Sequence, residues 1–173
     1  LKYDWCSYGL VVDGKVPVPA GVPVRKGAHD DAYALHPFKV MGEQLRAQKR
    51  DIVFSLCQYG NADVWKWGAE VGGNSWRTTG DIEDSWSVVK EIIDSQYRSA
   101  PYARPGHWND PDMLVVGEVG WGGDLHPSLI TPDEQYTHIS LWSLLAAPLL
   151  LGNELTHLDA FTKNLLTNDE VLA

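Results

Sequence analysis

Residues 106–117 read Gly-His-Trp-Asn-Asp-Pro-Asp-Met-Leu-Val-Val-Gly, which places acidic and aromatic side chains directly before a short apolar run. The apolar run at 114–116 is too short for a helix and suits a buried strand of the parallel type. Pro111 has no N–H to donate to a sheet ladder, so it belongs at the start or edge of that strand. Acids at the rim of a buried strand carry function or cap a turn, and the apolar faces of Trp108 and Met113 favour a ligand site.

The composition limits the class of protein. The chain has 173 residues, 44% hydrophobic and 21% charged, which is enough for one domain with a core. It has no run of 18 apolar residues, so we expect no membrane-spanning helix. The formal charge of −9 argues against a nucleic-acid partner and against an anionic-membrane partner. Eight Trp and seven Tyr against three Phe suit the faces of sugars as well as core packing.

Strand and helix patterns alternate along the chain, which predicts a parallel α/β fold. The predicted strands lie at residues 1–6, 51–57, 76–82, 114–116 and 148–152. The predicted helices begin near Pro37, near Asp84, at the capping-box sequence 131–134 and at Leu158. Four of the strands end in polar, aromatic or sulfur side chains, which favours a (β/α)₈ TIM barrel. Such a barrel needs about 250 residues and eight strands, so we expect an incomplete barrel that lacks its front.

Two carboxylates, Asp4 and Asp81, lie at predicted strand ends. If their strands lie close together in a barrel, both can face one pocket, and paired carboxylates suit glycoside hydrolysis. Lys2 shares a strand face with Asp4 and would favour its ionised form, while Arg77 could orient a ligand hydroxyl. The alternative is that Asp4 is only an ion-pair partner of Lys2 and that Asp81 only caps the next helix. The spacing leaves both interpretations open.

A metal site is the weaker interpretation of the segment before the apolar run. His107, Asp110 and Asp112 supply one histidine and two carboxylates, with no second His-rich element close by in the sequence. The sequence therefore predicts neither a metal nor any other cofactor.

Five motifs resemble those of glycoside hydrolase family 27, the α-galactosidase family of clan D. They follow the family's order, at residues 2–6 (KYDWC), 55–57 (SLC), 76–82 (WRTTGDI), 108–114 (WNDPDML) and 146–149 (AAPL). The resemblance covers nearly the whole chain and implies that residues 1–173 are part of a catalytic barrel, covering about strands 4 to 8 and their helices. The family's first three strands and its C-terminal β-sandwich would be absent.

The resemblance also implies roles for individual residues. Asp4 matches the family's nucleophile and Asp81 matches its general acid/base. In the family, a cysteine like Cys6 forms a disulfide with an upstream cysteine. The implied substrate-binding set comprises Lys2, Cys57, Gln58, Tyr59, Arg77, Trp108, Asp112 and Met113.

The implied activity is release of terminal α-linked galactose with retention of configuration. Many family members have Glu-Trp after the cysteine of the fifth strand, where this chain has Gln58 and Tyr59. These bulky polar residues should border the sugar's 2-position and leave little room for an N-acetyl group. We therefore expect galactose or arabinopyranose as the sugar. The alternatives are a β-L-arabinopyranosidase, an α-N-acetylgalactosaminidase or a non-catalytic carbohydrate-binding scaffold, and retention of both aspartates argues against the last.

Two further expectations concern the protein's surroundings and its stability. The resemblance implies a galactoside or related oligosaccharide as partner, and a secreted, periplasmic or lysosomal location. With three strands missing, the strand that begins at Leu1 would be an unpaired edge. We therefore expect the isolated chain to be poorly stable, aggregation-prone and inactive.

Overall fold

The computed structural model describes residues 1–5, 8, 31–120 and 123–172. The chain forms two compact units: Leu1–Thr78 with Tyr102–Trp108, and Thr79–Pro101 with Asn109–Ala173. Cys6, the cysteine of the predicted disulfide, lies outside the described residues.

A parallel sheet organises the first unit. Its strands pair in the order of the sequence, with Lys2 opposite Ser55 and Ser55 opposite Ser75. They are β1 (Lys2–Asp4), β2 (Ser55–Cys57) and β3 (Ser75–Arg77). Strand β4 (Trp108–Asp110) begins at Trp108, the last residue of this unit. The N–H of Trp108 donates to the Asn74 carbonyl at 2.9 Å. The parallel pairing confirms the predicted α/β class.

Helix α1 (Asp31–Arg46) precedes β2, and a 3₁₀ segment (Asn61–Lys66) follows it. The prediction that this helix begins near Pro37 was wrong, because Pro37 lies inside it. The residues before Pro37 are helical as well. A proline inside a helix removes one backbone hydrogen bond, but here the helix continues through it. The core of this unit buries three of the tryptophans with aliphatic and aromatic neighbours: Phe38, Phe54, Leu56, Val64, Trp65, Trp67, Val71 and Trp76.

The second unit is mainly helical. It contains α2 (Trp86–Ser95), α3 (Pro132–Leu144), α4 (Ala160–Leu166), α5 (Asp169–Leu172) and a two-stranded antiparallel pair of β5 (Glu118–Val119) with β6 (His126–Pro127). The helical spacing of four residues of α2 predicts an apolar stripe that faces the core: Trp86, Val89, Ile92 and Ile93. All four pack in or against the core, and Val89 is fully buried. No helix among the described residues is long and apolar enough to cross a membrane.

The capping box of α3 is confirmed. The Thr131 hydroxyl accepts from the Glu134 N–H, and the Glu134 carboxylate accepts from the Thr131 N–H at 2.7 Å. The apolar residues near its end predict a helix that continues to about Ala147 and is buried on nearly all sides. The helix instead ends at Leu144, and Leu144 is 82% exposed.

The apolar run 114–116 is fully buried, but it is not the predicted strand. The strand of this stretch is β4, which ends just before Pro111, and Asp112 then adopts a left-handed backbone with φ 87°. Proline and the left-handed turn interrupt the ladder, so the buried run contributes one parallel bridge, between Leu114 and Leu151. The predicted strand 148–152 is likewise reduced to that bridge. Residues 148–152 are not buried, because a single bridge pairs only one of them with a neighbouring segment. Leu150, for example, is 49% exposed.

Candidate active site

Three predicted site residues end the three parallel strands of the first unit. Asp4 of β1 is the register partner of Cys57 of β2. In the pairing of β2 with β3, Ser55 lies opposite Ser75, so Cys57, two residues further along β2, lies beside Arg77 of β3. Arg77 Nη1 lies 3.9 Å from Cys57 Sγ. Because parallel strands end at one edge of their sheet, these side chains form a single row. The prediction that Asp81 lies at a strand end was wrong, because β3 ends at Arg77.

The row holds Asp4 as a carboxylate. Its Oδ1 lies 3.3 Å from Lys2 Nζ, and Cys57 is its neighbour in the β1–β2 register. Partial burial by itself would raise the pKa of Asp4, but hydrogen bonds from Cys57 and Lys2, with the charges of Lys2 and Arg77, outweigh burial and lower that pKa. Burial, strengthened by the bond to Asp4, raises the pKa of Cys57 to about 12. Cys57 is therefore a neutral donor, and Asp4 is the anionic acceptor.

The two residues after Cys57 face different surroundings. Gln58 is fully buried; its Nε2 donates to the Asn61 carbonyl, and Asn61 Nδ2 donates back to the Gln58 carbonyl at 2.7 Å. Tyr59 has a left-handed backbone with φ 63° and is 38% exposed, and its ring lies 5.9 Å from Arg77 Cζ. Of the two residues predicted to border the sugar, Tyr59 is the one that reaches solvent. Direct contact of Gln58 with a ligand stays a prediction.

In the second unit, Asp112 fixes the backbone beside Asp81. Asp112 Oδ2 accepts from the Ile82 N–H at 2.9 Å, and Oδ1 accepts from the Met113 N–H at 2.9 Å. The Asp112 N–H donates to Asp110 Oδ1 at 2.9 Å. Asp81 itself is exposed, whereas Asp112 is only 8% exposed. The structure thus gives Asp112 a structural role beside the predicted substrate-binding one.

Sequence reasoning missed two residues of α3 that hold this segment. Trp142 Nε1 donates to the Asp112 carbonyl at 2.7 Å, and His138 Nε2 accepts from the Val115 N–H at 3.2 Å. Their four-residue spacing places them on one helix face, which was the available signal, but such spacing is equally typical of core residues. Trp108 and Met113, both predicted for the site, are half-buried.

The residues of the alternative metal interpretation have separate hydrogen-bonding roles. His107 Nδ1 lies 2.7 Å from the Gly73 carbonyl, while Asp110 and Asp112 accept backbone N–H bonds. Within the described ranges, no group of three or more His, Cys, Asp or Glu side chains is arranged to hold a metal ion.

Comparison with known proteins identifies the family. The family model described as "Alpha galactosidase A" matches residues 26–173. This chain belongs to the α-galactosidase family. The family resemblance drawn from the five motifs is therefore confirmed.

Individual relatives of the α-galactosidase family agree with this assignment. α-Galactosidase 2 of Arabidopsis thaliana is 48% identical over 133 residues, which cover 77% of this chain and 31% of the relative. α-Galactosidase A of Cellvibrio japonicus is 33% identical and is matched over 100% of this chain and 38% of its own length. The chain thus spans about a third of the length of these curated relatives.

Two solved structures of this family resemble the chain in fold. α-Galactosidase I from Mortierella vinacea matches with a TM-score of 0.76 and 29% identity, covering 100% of this chain and 42% of its own. A GH27 β-L-arabinopyranosidase from Geobacillus stearothermophilus matches with a TM-score of 0.75 and 32% identity, covering 86% of this chain and 36% of its own.

Proposed function

We propose that the chain is part of the catalytic barrel of a retaining glycosidase that releases terminal α-linked D-galactose. The observation that carries the proposal is the state of Asp4. A strand-end carboxylate whose pKa is lowered by a thiol donor, a lysine and an arginine is suited to act as a nucleophile. In this proposal residues 1–173 supply about strands 4 to 8 of the barrel.

The proposed reaction is a double displacement. The Asp4 carboxylate attacks the anomeric carbon while Asp81 protonates the departing glycosidic oxygen, which forms a glycosyl-enzyme and releases the aglycone. Asp81 then takes a proton from water as the water oxygen attacks the anomeric carbon. The bond to Asp4 breaks, and galactose leaves with its configuration retained. The hydrogen bond from Cys57 and the charge of Lys2 keep Asp4 ionised between turnovers.

The proposed sugar carries a free 2-hydroxyl, as galactose and arabinopyranose do. Tyr59 is exposed next to Arg77 and offers a bulky polar face where an N-acetyl group would need space. Sites that pair a hydroxyl discriminate strongly against ligands that cannot make that bond. A β-L-arabinopyranosidase is the second candidate, because a structural neighbour carries that activity in its name. The proposed partners are galactosides or related oligosaccharides, and a secreted, periplasmic or lysosomal location stays a prediction.

Azide rescue of two variants tests the roles in the full-length protein. With an aryl α-galactoside, Asp4→Gly should lose nearly all activity, and added azide should restore turnover with β-galactosyl azide as product. Asp81→Gly should instead yield α-galactosyl azide, because azide then attacks the glycosyl-enzyme. Asp94→Ala, which removes an exposed carboxylate of α2, is the matched control and should behave as wild type.

Two outcomes would contradict the proposal. Absence of turnover above background in both the wild type and Asp4→Gly would favour the carbohydrate-binding scaffold. A higher kcat/KM on the α-N-acetylgalactosaminide than on the α-galactoside and the β-L-arabinopyranoside would show that the inference from Tyr59 is wrong.

A further inference from the structure

A buried tryptophan of α3 bonds to the turn that contains Asp112. Trp142 is fully buried, and its Nε1–H donates to the Asp112 carbonyl at 2.7 Å. His138, one helical turn earlier, lies against the Trp142 ring in an edge-on arrangement with centroids 4.1 Å apart. His138 Nε2 also accepts from the Val115 N–H. The same helix face therefore holds the main chain at both ends of the segment from Asp112 to Val115.

The turn needs this support because its backbone is unfavourable. Asp112 has φ 87°, a left-handed conformation that residues with a side chain rarely adopt. Its N–H is fixed by Asp110 Oδ1 and its carbonyl by Trp142 Nε1. Both peptide groups of the turn are thus held, and together they set the direction of the Asp112 side chain.

The Asp112 side chain in turn holds the residue next to Asp81. Asp112 Oδ2 accepts from the Ile82 N–H at 2.9 Å, and Ile82 is 1% exposed. The hydrogen bonds therefore run from Trp142 to Asp112 and from Asp112 to Ile82, whose backbone is continuous with Asp81. A general acid must lie within hydrogen-bond reach of the glycosidic oxygen, so its main chain must be held in place.

We propose that Trp142 is a positioning residue for the general acid Asp81 and acts through Asp112. The inference rests on the proposed role of Asp81 and adds a residue that does not touch the substrate. A small displacement of a catalytic group costs up to about 10²-fold in rate, so loss of one indole N–H should be measurable.

The test compares two substrates that differ in their need for an acid. In the full-length protein, Trp142→Phe keeps an aromatic ring and removes the N–H donor. Its kcat/KM on methyl α-galactoside, whose leaving group must be protonated, should fall about 10- to 100-fold. Its kcat/KM on α-galactosyl fluoride, whose leaving group requires far less proton donation, should fall by less than about threefold.

Trp86→Phe is the matched control. Trp86 packs against the same hydrophobic cluster as Trp142, but it belongs to α2 and makes no bond to Asp112. It should lower both rates by the same small factor. Asp112→Asn, which weakens the acceptor for Ile82 while the carbonyl stays available to Trp142, should reproduce the unequal loss if Trp142→Phe folds poorly.

Amide hydrogen exchange separates failure of this inference from failure of the proposed function. Exchange at the Ile82 amide should be faster in Trp142→Phe than in Trp86→Phe. Equal exchange, or equal losses on both substrates, would overturn the inference. If the wild type hydrolyses no galactoside or arabinopyranoside, the proposed function fails, and exchange at Ile82 still decides whether Trp142 positions that segment.

Discussion

Asp4 and Cys57 are register partners in the parallel pairing of β1 and β2, and a hydrogen bond between the thiol and the carboxylate shifts the pKa of each. The two pKa values shift in opposite directions. The pKa of Cys57 rises to about 12, and the same bond helps to lower the pKa of Asp4. A fully buried cysteine at this position is therefore a fixed neutral donor to the proposed nucleophile.

Loss of the thiol should move the acid limb of the pH profile. In Cys57→Ala the pKa of Asp4 should rise, because the carboxylate loses a donor to its charged form. The acid limb of kcat/KM should then shift to higher pH, so activity is lost earlier as the pH falls. Cys57→Ser keeps a donor and should retain the wild-type limb. Coincident acid limbs for Cys57→Ala and wild type would show that the bond does not affect Asp4.

A side chain at Gly152 should disturb Met113. A Cβ added there would lie 2.6 Å from Met113 Sδ and 2.9 Å from the Leu114 carbonyl oxygen. The Met113 side chain can change its rotamer, but the Leu114 carbonyl oxygen is part of the main chain and can shift only slightly. Gly152→Ala should therefore destabilise the protein by about 1–3 kcal/mol. Gly123→Ala is the control, since a Cβ there meets nothing within 4 Å. Thermal unfolding of both variants measures the difference, and equal melting temperatures would contradict the expectation.

His138 should make folding stability depend on pH. Burial lowers the pKa of His138 to about 4 from 6.5, so below pH 6.5 the unfolded state binds a proton that the folded state excludes. Stability from this group is complete above pH 6.5 and declines as the pH falls to about 4, by roughly 3 kcal/mol in all.

Chemical denaturation at several pH values measures this contribution. The wild type should lose roughly 3 kcal/mol more than His138→Gln between pH 6.5 and 4, because the variant lacks the titrating ring. Parallel stability curves for the two proteins would show that His138 titrates normally in the folded state.

The capping box of α3 should contribute measurably to stability. Thr131→Ala removes the hydroxyl that accepts from the Glu134 N–H and should cost about 1 kcal/mol of unfolding free energy. Thr137→Ala, within the same helix, removes an exposed hydroxyl that bonds only to the Asp133 carbonyl. This control should leave stability unchanged or slightly higher, because alanine has the greater helix propensity. Urea denaturation of the two variants compares them, and equal losses would contradict the capping role.

The active-site row illustrates how far local pattern predicts a site. The strand ends at Asp4 and Cys57 followed from short apolar runs and from the family motifs, but the predicted third strand, 76–82, ends at Arg77 and not at Asp81. The structure places Asp4, Cys57 and Arg77 in one row. The carboxyl ends of parallel strands lie at the same edge of the sheet, so residues at the ends of adjacent strands are neighbours in space. The exposure of Tyr59 and the burial of Gln58 did not follow, because a left-handed residue just after a strand breaks the alternation of faces.

The sequence by itself determined the family, the parallel α/β class and the start of α3, because these depend on residue types at fixed local spacing. Tertiary structure alone decided that β4 ends before Pro111 and that the run after it is buried without forming a strand. It also decided that Trp142 bonds to Asp112 and Asp112 to Ile82, each across 30 residues of chain. Periodicity shows which face of a helix is apolar, but a hydrogen bond between distant segments depends on how those segments pack in three dimensions.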